Sequence, residues 1–362
     1  MRMASLGTVA IAGGIGLRPL SAADQTPAPG ARKLGVALLG LGRYSAGQLG
    51  PALRETGLCR LAGVITGSPG KADQWARDFG LPKDCLYNYE NMDRIADNRA
   101  IDIVYVVTPP GIHRDFAVRA AKAGKHVISE KPMATTVADC DAMIAACAEA
   151  KVKLSIGYRL HFDPYHRELM RLARDRDFGE FRKMTGDRGF VMKSRSWRID
   201  KVLAGGGPMM DLGIYVIHGA CMAADGATPV TVSAREEPKT DPALFNEVEE
   251  TMRWRMEFAN GAVCDAVSSY SHNSDRFRAE GDRGWFDLRE HAFTYKGIGC
   301  VTSRGPLHYD PPINQQAAQM DDFADCILTG RATPVPGELG RRDIRILAAI
   351  YEAARTGGAV RV

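Results

Sequence analysis

The sequence predicts an α/β protein in which an N-terminal domain on a parallel sheet is followed by an α+β domain with a largely antiparallel, open-faced sheet. From Leu34 to Ile156, short apolar segments alternate with helical ones, as in successive βαβ units. A glycine-rich turn follows the first of these segments. After residue 182, β-rich segments follow one another through short turns, which favours antiparallel pairing.

The composition is that of an ordinary globular protein, with 362 residues, 45% hydrophobic and 25% charged. The net charge is only +4 and basic residues are not interleaved with aromatic ones, so we expect no nucleic-acid partner. The domains contain no run of 18 apolar residues, so we expect no membrane insertion. The eight cysteines form no C-x-x-C pair and have no histidine at ligand spacing, which predicts buried thiols and no metal site.

Residues 1–33 differ from the rest of the chain. Arg2 precedes a weakly apolar stretch, Leu6 to Leu17, and the small residues Ser21-Ala22-Ala23 follow it. This pattern is typical of an export signal and predicts a periplasmic protein, with a cytoplasmic location as the alternative if the stretch is not a signal. Residues 25–33 are then interpreted as an extended arm.

The first domain is predicted to span residues 34–157. Its first strand, Leu34–Leu39, is followed by Gly40-Leu41-Gly42 and by a helix to about Arg54. Strand, G-x-G and helix in this order are the dinucleotide fingerprint of a Rossmann domain, in which Gly40 permits the tight turn and Gly42 lets the backbone approach a pyrophosphate. Ser45 replaces the third glycine, which we expect to loosen the packing of the helix on the strand.

The second strand indicates which nucleotide is bound. Arg60–Ile65 ends in Thr66-Gly67-Ser68, where an NAD site would place an acidic residue against the ribose 2′-hydroxyl. Lys71 and Arg43 are expected near this corner and could pair with a 2′-phosphate. The sequence therefore favours NADP, and the alternative is that both side chains are solvated charges at helix starts.

Two further strand ends are predicted at the ligand side of the sheet. Strand Ile101–Val107 ends in Thr108-Pro109, expected beside the nicotinamide, and His113 follows as either a ligand contact or a helix cap. Strand His126–Ser129 ends in Glu130-Lys131-Pro132, where the proline stops the strand and leaves Lys131 at its carboxyl end. A solvated loop is the alternative. The other elements predicted here are strands at 86–87 and 153–156 and helices at 114–123 and 137–150.

The second domain is predicted over residues 158–362, with a helix at Pro164–Asp175, a hairpin turn at Asn260-Gly261, and a C-terminal helix that could pack back on the first domain. Its sheet is expected to bury one face and offer the other to a second subunit. The predicted strands are Lys183–Met192, Val230–Arg235, Val248–Phe258, Ala262–Tyr270, Arg276–Glu280 and Gly284–Leu288.

A second group of polar residues lies between the first two of these strands. Trp197-Arg198 and Gly205-Gly206-Gly207 precede a predicted helix that carries Asp211 and Tyr215. Four residues apart, these two side chains point the same way. With Lys131 nearby they would form a proton-transfer set, because an ammonium group favours the phenolate of a tyrosine. The alternative is a core tyrosine with a helix aspartate.

These motifs together resemble the glucose-fructose oxidoreductase and inositol dehydrogenase superfamily, over about Leu34 to Val360. Many members carry histidine where this chain has Tyr215, and the tyrosine form is most similar to the glucose-fructose and aldose-aldose oxidoreductase branch. The motifs that carry the resemblance are Gly40-Leu41-Gly42, Ala123-Gly124-Lys125-His126, Glu130-Lys131-Pro132, Ile156-Gly157-Tyr158-Arg159, His161, Asp163-Pro164, Trp197-Arg198, Gly205-Gly206-Gly207, Asp211-x-Gly213-x-Tyr215 and Ile350 to Gly357.

The resemblance implies roles for individual residues. Tyr215 would accept the proton of an anomeric hydroxyl as hydride leaves that carbon, Lys131 would balance the charge, and Asp211 would orient Lys131 or the sugar. The implied sugar-binding residues are Tyr158, Arg159, His161, Asp211 and Tyr215. The implied cofactor-binding residues are Gly40, Gly42, Arg43, Tyr44, Thr66, Gly67, Ser68, Lys71, Thr108, Pro109, His113, Glu130, Lys131, Arg159, Trp197 and Arg198.

The resemblance also implies an activity. Such relatives hold NADP tightly, oxidise one aldose at C1 to the aldonolactone and reduce a second sugar with the same NADPH. It further implies a homodimer or higher oligomer through the second sheet, and an N-terminal arm that covers the cofactor or reaches across the dimer. Two alternatives remain open, a conventional NADP-dependent sugar or diol dehydrogenase with a dissociable cofactor and a non-catalytic NADP-binding sensor.

Overall fold

The computed structural model describes residues 32–362, which contain two β-sheets. The predicted export signal and most of the predicted arm lie outside the described residues. No helix between residues 32 and 362 combines the length and the apolar character needed to cross a bilayer.

The first sheet confirms the predicted Rossmann domain. Its six strands are all parallel and lie in the order β3-β2-β1-β4-β5-β6. The order reverses between β1 and β4, and in such sheets ligands bind beyond the carboxyl ends of the strands at this point. The strands are β1 (Leu34–Leu39), β2 (Cys59–Ile65), β3 (Leu86–Tyr87), β4 (Ile103–Val106), β5 (His126–Ser129) and β6 (Leu154–Ile156).

Helices cover both faces of this sheet, because its strands are apolar on both sides. Side chains of α1 and α2 share a core with one face, and those of α3 and α4 share a core with the other. The helices are α1 (Gly50–Glu55), which continues a π-helical turn at Ser45–Leu49, α2 (Pro69–Phe79), α3 (His113–Lys122) and α4 (Val137–Glu149).

The second sheet has nine strands in the order β14-β13-β12-β11-β7-β10-β9-β8-β15. Neighbouring strands are antiparallel except β7 and β10, which run parallel, so the prediction of a largely antiparallel sheet is confirmed. The strands are β7 (Phe181–Gly189), β8 (Thr231–Glu236), β9 (Thr251–Glu257), β10 (Val263–Ser269), β11 (Ser274–Gly281), β12 (Gly284–Glu290), β13 (Gly299–Thr302), β14 (Gly305–Leu307) and β15 (Val360–Arg361).

One face of the second sheet is covered by helices and the other is open. Along β9, Met252, Trp254 and Met256 are buried, whereas Arg253 and Arg255 alternate with them and are exposed. The covering helices include α7, which is buried along its whole length. The helices of this half are α5 (Pro164–Asp175), α6 (Lys201–Ala204), α7 (Ile214–Ala223), α8 (Gln315–Thr329) and α9 (Gly337–Thr356).

The last two long helices return to the first sheet and cover opposite faces of it. On α8, Met320 and Phe323 share a core with Leu38 of β1. On α9, Leu347 shares the other core with α4. As a result, helices from the C-terminal part of the chain complete the core on both faces of the first sheet.

Candidate active site

The turn after β1 is built for a nucleotide. Gly40 has φ +97°, and a Cβ there would lie 2.9 Å from the carbonyl oxygen of Val107, so this position requires glycine. At Gly42 a Cβ would meet no atom within 4 Å, so the backbone faces open space. Ser45, in place of a third glycine, is buried, and its hydroxyl donates to the carbonyl oxygen of Gly40 at 2.6 Å, which ties the start of the helix to the turn.

The end of β2 forms an exposed basic corner of this crevice. Thr66 is buried and its hydroxyl accepts the backbone N–H of Ser68 at 3.2 Å. Gly67, Arg43 and Lys71 are exposed. The residues expected around a ribose are therefore accessible there, and the two cations carry the positive charge that a phosphate would need.

Two side chains that follow β4, Thr108 and His113, differ in their hydrogen-bond partners. The hydroxyl of Thr108 is buried and has no hydrogen-bond partner among the described residues, so it can serve a ligand. His113 is different, because Nε2 lies 2.6 Å from the carbonyl oxygen of Thr108 and Nδ1 lies 3.0 Å from that of Pro132. Burial lowers the pKa of His113, so its neutral ring has one N–H to donate to a carbonyl at the ends of β4 and β5. This placement favours the structural alternative, and the cofactor contact of His113 stays a prediction.

Glu130 is held rigidly at the end of β5. Its Oε1 accepts from the hydroxyl of Tyr105 at 2.7 Å, and Oε2 accepts the backbone N–H of Lys131 at 3.2 Å. The amide of Gln319, on α8, donates in turn to the hydroxyl of Tyr105 at 2.8 Å. Burial raises the pKa of Glu130.

Lys131 and Asp211 meet across the two halves of the chain. Lys131 Nζ donates to the backbone carbonyl of Asp211 at 3.0 Å and lies 3.6 Å from its carboxylate Oδ1. Asp211 Oδ2 accepts from Arg198 Nε at 3.0 Å and from the hydroxyl of Tyr270 at 3.1 Å. Burial would raise the pKa of Asp211, but Lys131 and Arg198 outweigh it and the pKa is lowered.

The backbone around Asp211 is fixed by a buried carboxylate. Asp211 lies in a π-helical turn, Met209–Gly213, and such turns are frequent at functional sites. Glu249 accepts the backbone N–H groups of Gly207 and Met209, each at 3.0 Å, and the hydroxyl of Tyr351 at 2.9 Å. A Cβ at Gly206 would lie 1.9 Å from that hydroxyl, which explains why the approach to Asp211 is a run of glycines.

Three cations surround the phenol of Tyr215, which is 9% exposed. The centroid of its ring lies 4.3 Å from Lys131 Nζ, 4.5 Å from the guanidinium carbon of Arg188 and 5.4 Å from that of Arg159. Burial alone would raise the pKa of Tyr215, but the three cations outweigh it and the pKa is lowered. Tyr215 therefore loses its proton more easily than an ordinary tyrosine.

These side chains surround a cavity of about 360 Å³ between the ends of the parallel strands and the second half of the chain. At its mouth Trp197 is 36% exposed, and the guanidinium carbon of Arg198 lies 4.7 Å from the Trp197 ring centroid. Predicted residues that line the cavity are Tyr44, Thr108, Glu130, Lys131, Trp197, Arg198, Asp211 and Tyr215. Lining residues that the sequence did not indicate are Arg188, Phe190, Met210, Leu212 and Tyr295.

Tyr158 and His161 lie elsewhere. The Tyr158 ring stacks on His218 with centroids 3.9 Å apart, and the His161 ring lies 4.9 Å from the same histidine. Tyr158 is buried, and neither residue is among those that line the cavity. The structure therefore places both side chains away from the cavity, because the chain turns at Tyr158 and sends only Arg159 towards Tyr215.

The arrangement is suited to moving a proton beside a bound nucleotide. A phenol whose anion is stabilised by three cations can act as a base, and the cavity is large enough for a small polar molecule. Within residues 32–362 there is no group of three or more histidine, cysteine or carboxylate side chains that could hold a metal ion.

Comparison with known proteins places the chain among sugar oxidoreductases. Residues 34–158 match the model for an oxidoreductase family with an NAD-binding Rossmann fold, and residues 166–287 match a GFO/IDH/MocA C-terminal domain. The chain is 28% identical over 341 residues to a D-xylose 1-dehydrogenase [NADP(+)] of Haloarcula marismortui, covering 90% of this chain and 92% of that protein. It is 26% identical to a scyllo-inositol 2-dehydrogenase (NAD(+)) of Bacillus subtilis, covering 83% of this chain and 87% of that protein.

Among solved structures, the chain is similar to aldose-aldose oxidoreductase from Caulobacter crescentus complexed with glycerol, with 43% identity and a TM-score of 0.88. The match covers 91% of this chain and 100% of that one. The resemblance inferred from the motifs is thereby confirmed: the chain belongs to the GFO/IDH/MocA family of NAD(P)-dependent sugar oxidoreductases.

Proposed function

We propose that the protein is an NADP-dependent sugar oxidoreductase that keeps its cofactor bound, oxidises an aldose at C1 to the aldonolactone and reduces a second aldose or ketose with the same NADPH. The observation that carries this proposal is the Tyr215 phenol among three cations beside the nucleotide crevice. The 43% identity to an aldose-aldose oxidoreductase supports it.

The residues present fit the nucleotide. The open space at Gly42 leaves room for a pyrophosphate, and the unpartnered hydroxyl of Thr108 can contact the nicotinamide end. Arg43 and Lys71 are exposed and would hold a 2′-phosphate. When bound, NADP supplies a carrier that accepts hydride from one sugar and gives it to another.

The protein's own part is proton transfer. Tyr215 Oη takes the proton from the C1 hydroxyl of the aldose, and loss of hydride from C1 then leaves the lactone carbonyl. Lys131, Arg159 and Arg188 stabilise the phenolate, and Asp211 holds Lys131 in place. In the second half-reaction the phenol returns the proton to the carbonyl oxygen of the acceptor sugar.

The test is to purify the protein without added nucleotide, denature it, and determine which nucleotide is released and how much. We expect about one NADP per chain, and interconversion of aldoses and ketoses without added cofactor. Tyr215→Phe is the matched control, because it should keep the NADP and lose the turnover. Protein that is purified empty and needs free NADP for each turnover contradicts the proposal.

A second candidate is a conventional dehydrogenase with a dissociable cofactor. The 28% identity to an NADP-dependent xylose dehydrogenase, over nearly the whole of both chains, favours it. Titration with NADP distinguishes the two candidates. Only the form with a dissociable cofactor needs added NADP, so only its rate should rise with NADP concentration and then saturate.

Arg43→Ser should weaken NADP binding about tenfold more than NAD binding in either case, because it removes a charge-assisted contact to the 2′-phosphate.

We propose a homodimer or higher oligomer through the open face of the second sheet. This face has a concavity of about 1010 Å³ lined by side chains of both charges, among them Arg253, Arg255, Asp265 and Asp287. Two copies of such a surface can be self-complementary around a two-fold axis. Sedimentation should give a dimer or larger, and Arg253→Glu with Arg255→Glu should shift it towards the monomer. A wild-type monomer contradicts this proposal.

We also propose export to the periplasm, supported by the pattern of residues 1–23. An exported enzyme would meet no pool of free nucleotide, so it would have to carry NADP and regenerate it internally. Cell fractionation tests the location, and an entirely cytoplasmic protein contradicts it.

A further inference from the structure

Arg159 is buried among acceptors that determine its position. Only 3% of the residue is exposed, and its guanidinium donates to the carbonyl oxygens of Phe293 and Thr294 and to Oε1 of Gln315. A guanidinium is a donor only, so each partner has to present an oxygen. Held in this way, its central carbon lies 5.4 Å from the Tyr215 ring centroid.

Gln315 is the side chain in this set that joins Arg159 to a second charged group. Its Oε1 accepts from Arg159, and its Nε2 donates to Asp163 Oδ2 at 2.9 Å and to the carbonyl oxygen of Thr294 at 3.3 Å. A carboxylate accepts and a guanidinium donates, so a neutral amide between them is satisfied on both sides in one orientation. Gln315 is 2% exposed, so water cannot replace either bond at low cost.

Asp163 is itself fixed at the start of α5. Its Oδ1 accepts from His166 Nδ1 at 2.8 Å and from the backbone N–H groups of Tyr165 at 3.0 Å and His166 at 3.1 Å. The carboxylate therefore caps the helix and cannot move towards Arg159 without losing these bonds. The chain of hydrogen bonds from α5 through Asp163 and Gln315 to Arg159 has one fixed end.

We propose that Gln315 is a positioning residue for Tyr215: through its bonds to Asp163 and Arg159 it keeps the Arg159 guanidinium against the Tyr215 ring. This inference rests on the proposed function in taking Tyr215 as the group that gains and loses the proton. Gln315 begins α8, which packs on the first sheet, so the bond also couples the cation to the nucleotide-binding half of the chain.

The expected effect follows from the charges that face Tyr215. Lys131 from the end of β5 and Arg188 from β7 favour the phenolate, as Arg159 does, and Glu130 opposes it. Tyr44 and Tyr295 also lie close enough to interact with Tyr215. Because Lys131 and Arg188 remain, loss of Gln315 should raise the pKa of Tyr215 by about one unit and not restore an ordinary tyrosine.

The experiment compares Gln315→Met with Gln316→Met. Gln316 is the next residue of α8 and is equally buried, but its Nε2 has no partner among the described residues. Tyr215 is titrated by the ultraviolet difference spectrum of its phenolate, with Tyr215→Phe as the blank. We expect the midpoint to rise by about one unit in Gln315→Met and to stay within about 0.2 units in Gln316→Met.

A charge-exchanged pair keeps the test valid if Gln315→Met folds poorly. In Asp163→Asn with Gln315→Glu, the amide and the carboxylate exchange places, so the hydrogen bond between residues 163 and 315 is kept. Arg159 then donates to a carboxylate instead of a neutral amide. We expect this double variant to fold and Tyr215 to titrate at higher pH than in the wild type. Gln315→Glu alone should be much less stable, because it opposes two buried carboxylates.

The result that overturns the inference is an unchanged Tyr215 midpoint in the folded variants. The titration does not depend on turnover, so the two proposals can fail separately. A shifted midpoint in a protein that oxidises no sugar would support the inference and reject the proposed function. Sugar oxidation together with an unshifted midpoint would support the proposed function and reject the inference.

Discussion

Helix α7 carries two polar side chains, Tyr215 and His218, which lie one turn apart in different surroundings. Tyr215 faces the cavity together with Lys131, Arg188 and Asp211, and the buried Arg159 lies against its ring; we call these five residues the cavity cluster. His218 faces the interior together with a second set, the enclosed cluster. Its other members are Tyr158, His161, Arg342 and Asp343. Both clusters contain aromatic, basic and acidic side chains, so residue type does not separate chemistry from packing.

The clusters differ in how their charges are matched. In the enclosed cluster, Asp343 accepts from His218 Nδ1 at 2.7 Å and from Arg342 Nε at 2.8 Å. Burial lowers the pKa of His218, so the histidine stays neutral and one carboxylate balances one guanidinium. In the cavity cluster, three cations face a phenol that is neutral until it loses a proton. Asp211 pairs with Lys131 and Asp275 pairs with Arg188, but the Arg159 guanidinium donates to uncharged oxygens. Ionisation of the phenol places a negative charge beside it, and this suits Tyr215 for proton transfer.

The largest expected effect tests this contrast with one substitution made in both clusters. Tyr215→Phe should lower kcat for aldose oxidation by about 100-fold to 10,000-fold, because it removes the group that takes the proton. Tyr158→Phe, in the enclosed cluster, should leave kcat within about threefold. Steady-state kinetics on folded protein measures both, and similar losses in the two variants would remove the distinction between the clusters.

The next effect concerns stability and belongs to the enclosed cluster. Burial would raise the pKa of Asp343, but Arg342 and His218 outweigh it and lower the pKa from 3.8 to about 2. A carboxyl with a lowered pKa stabilises the fold above its unfolded pKa, and the stabilisation is lost as pH falls from about 4 to about 2. The contribution is about 2 kcal/mol, since one pKa unit corresponds to roughly 1.4 kcal/mol.

Asp343→Asn should therefore lower the free energy of unfolding at neutral pH by about 2 kcal/mol. Between about pH 4 and pH 2 the variant should lose less stability than the wild type, because it has no carboxyl to protonate at this position. Denaturant unfolding at several pH values measures both effects. The fraction that stays folded should keep most of its activity, because Asp343 does not line the cavity. If the loss of stability were the same at pH 2 as at pH 7, the ionic account of this cluster would be wrong.

A smaller effect concerns the cation that the sequence did not indicate. Arg188 is paired with Asp275 at 2.7 Å and lies 4.5 Å from the Tyr215 ring centroid. Arg188→Met should raise the pKa of Tyr215, so the pH at which aldose oxidation is half-maximal should rise by about one unit. Arg276→Met, an exposed arginine on β11, is the matched control and should leave the profile unchanged. A profile that moves equally in both variants would contradict the role of Arg188.

The sequence predicted the fold well, because its signals were local. The apolar strands of the first sheet, its glycine turn and the proline after Lys131 each determine the structure of their own segment. The short strands β13 to β15 were not predicted, since β15 has two residues and forms only through its pairing with β8. The parallel pairing of β7 and β10 also depends on distant contacts.

The site was predicted less completely for the same reason. Lys131, Asp211 and Tyr215 stood out by their spacing and motifs, and the structure brings them together. Arg188 is one of several arginines in the strands of the second sheet, and Gln315 lies 156 residues from Arg159. Neither had a local signal. Tyr158 and His161 were assigned, like Arg159, from the family resemblance, but a turn of the chain separates their side chains from that of Arg159.

The smallest expected effect tests that last point directly. His161 was predicted to bind the sugar, yet its ring lies 4.9 Å from His218 in the enclosed cluster, and burial keeps its pKa well below the ordinary value. His161→Asn should therefore change kcat/KM for the sugar by less than about threefold, because a group that meets no substrate contributes little to discrimination. Arg198→Met is the comparison at the cavity mouth and should change it more, since Arg198 donates to Asp211. A loss above tenfold in a stably folded His161→Asn variant would show that the enclosed cluster opens to the sugar during turnover. In that case, access of the sugar to each cluster, and not residue type, would still decide its function. That access would differ between steps of the catalytic cycle.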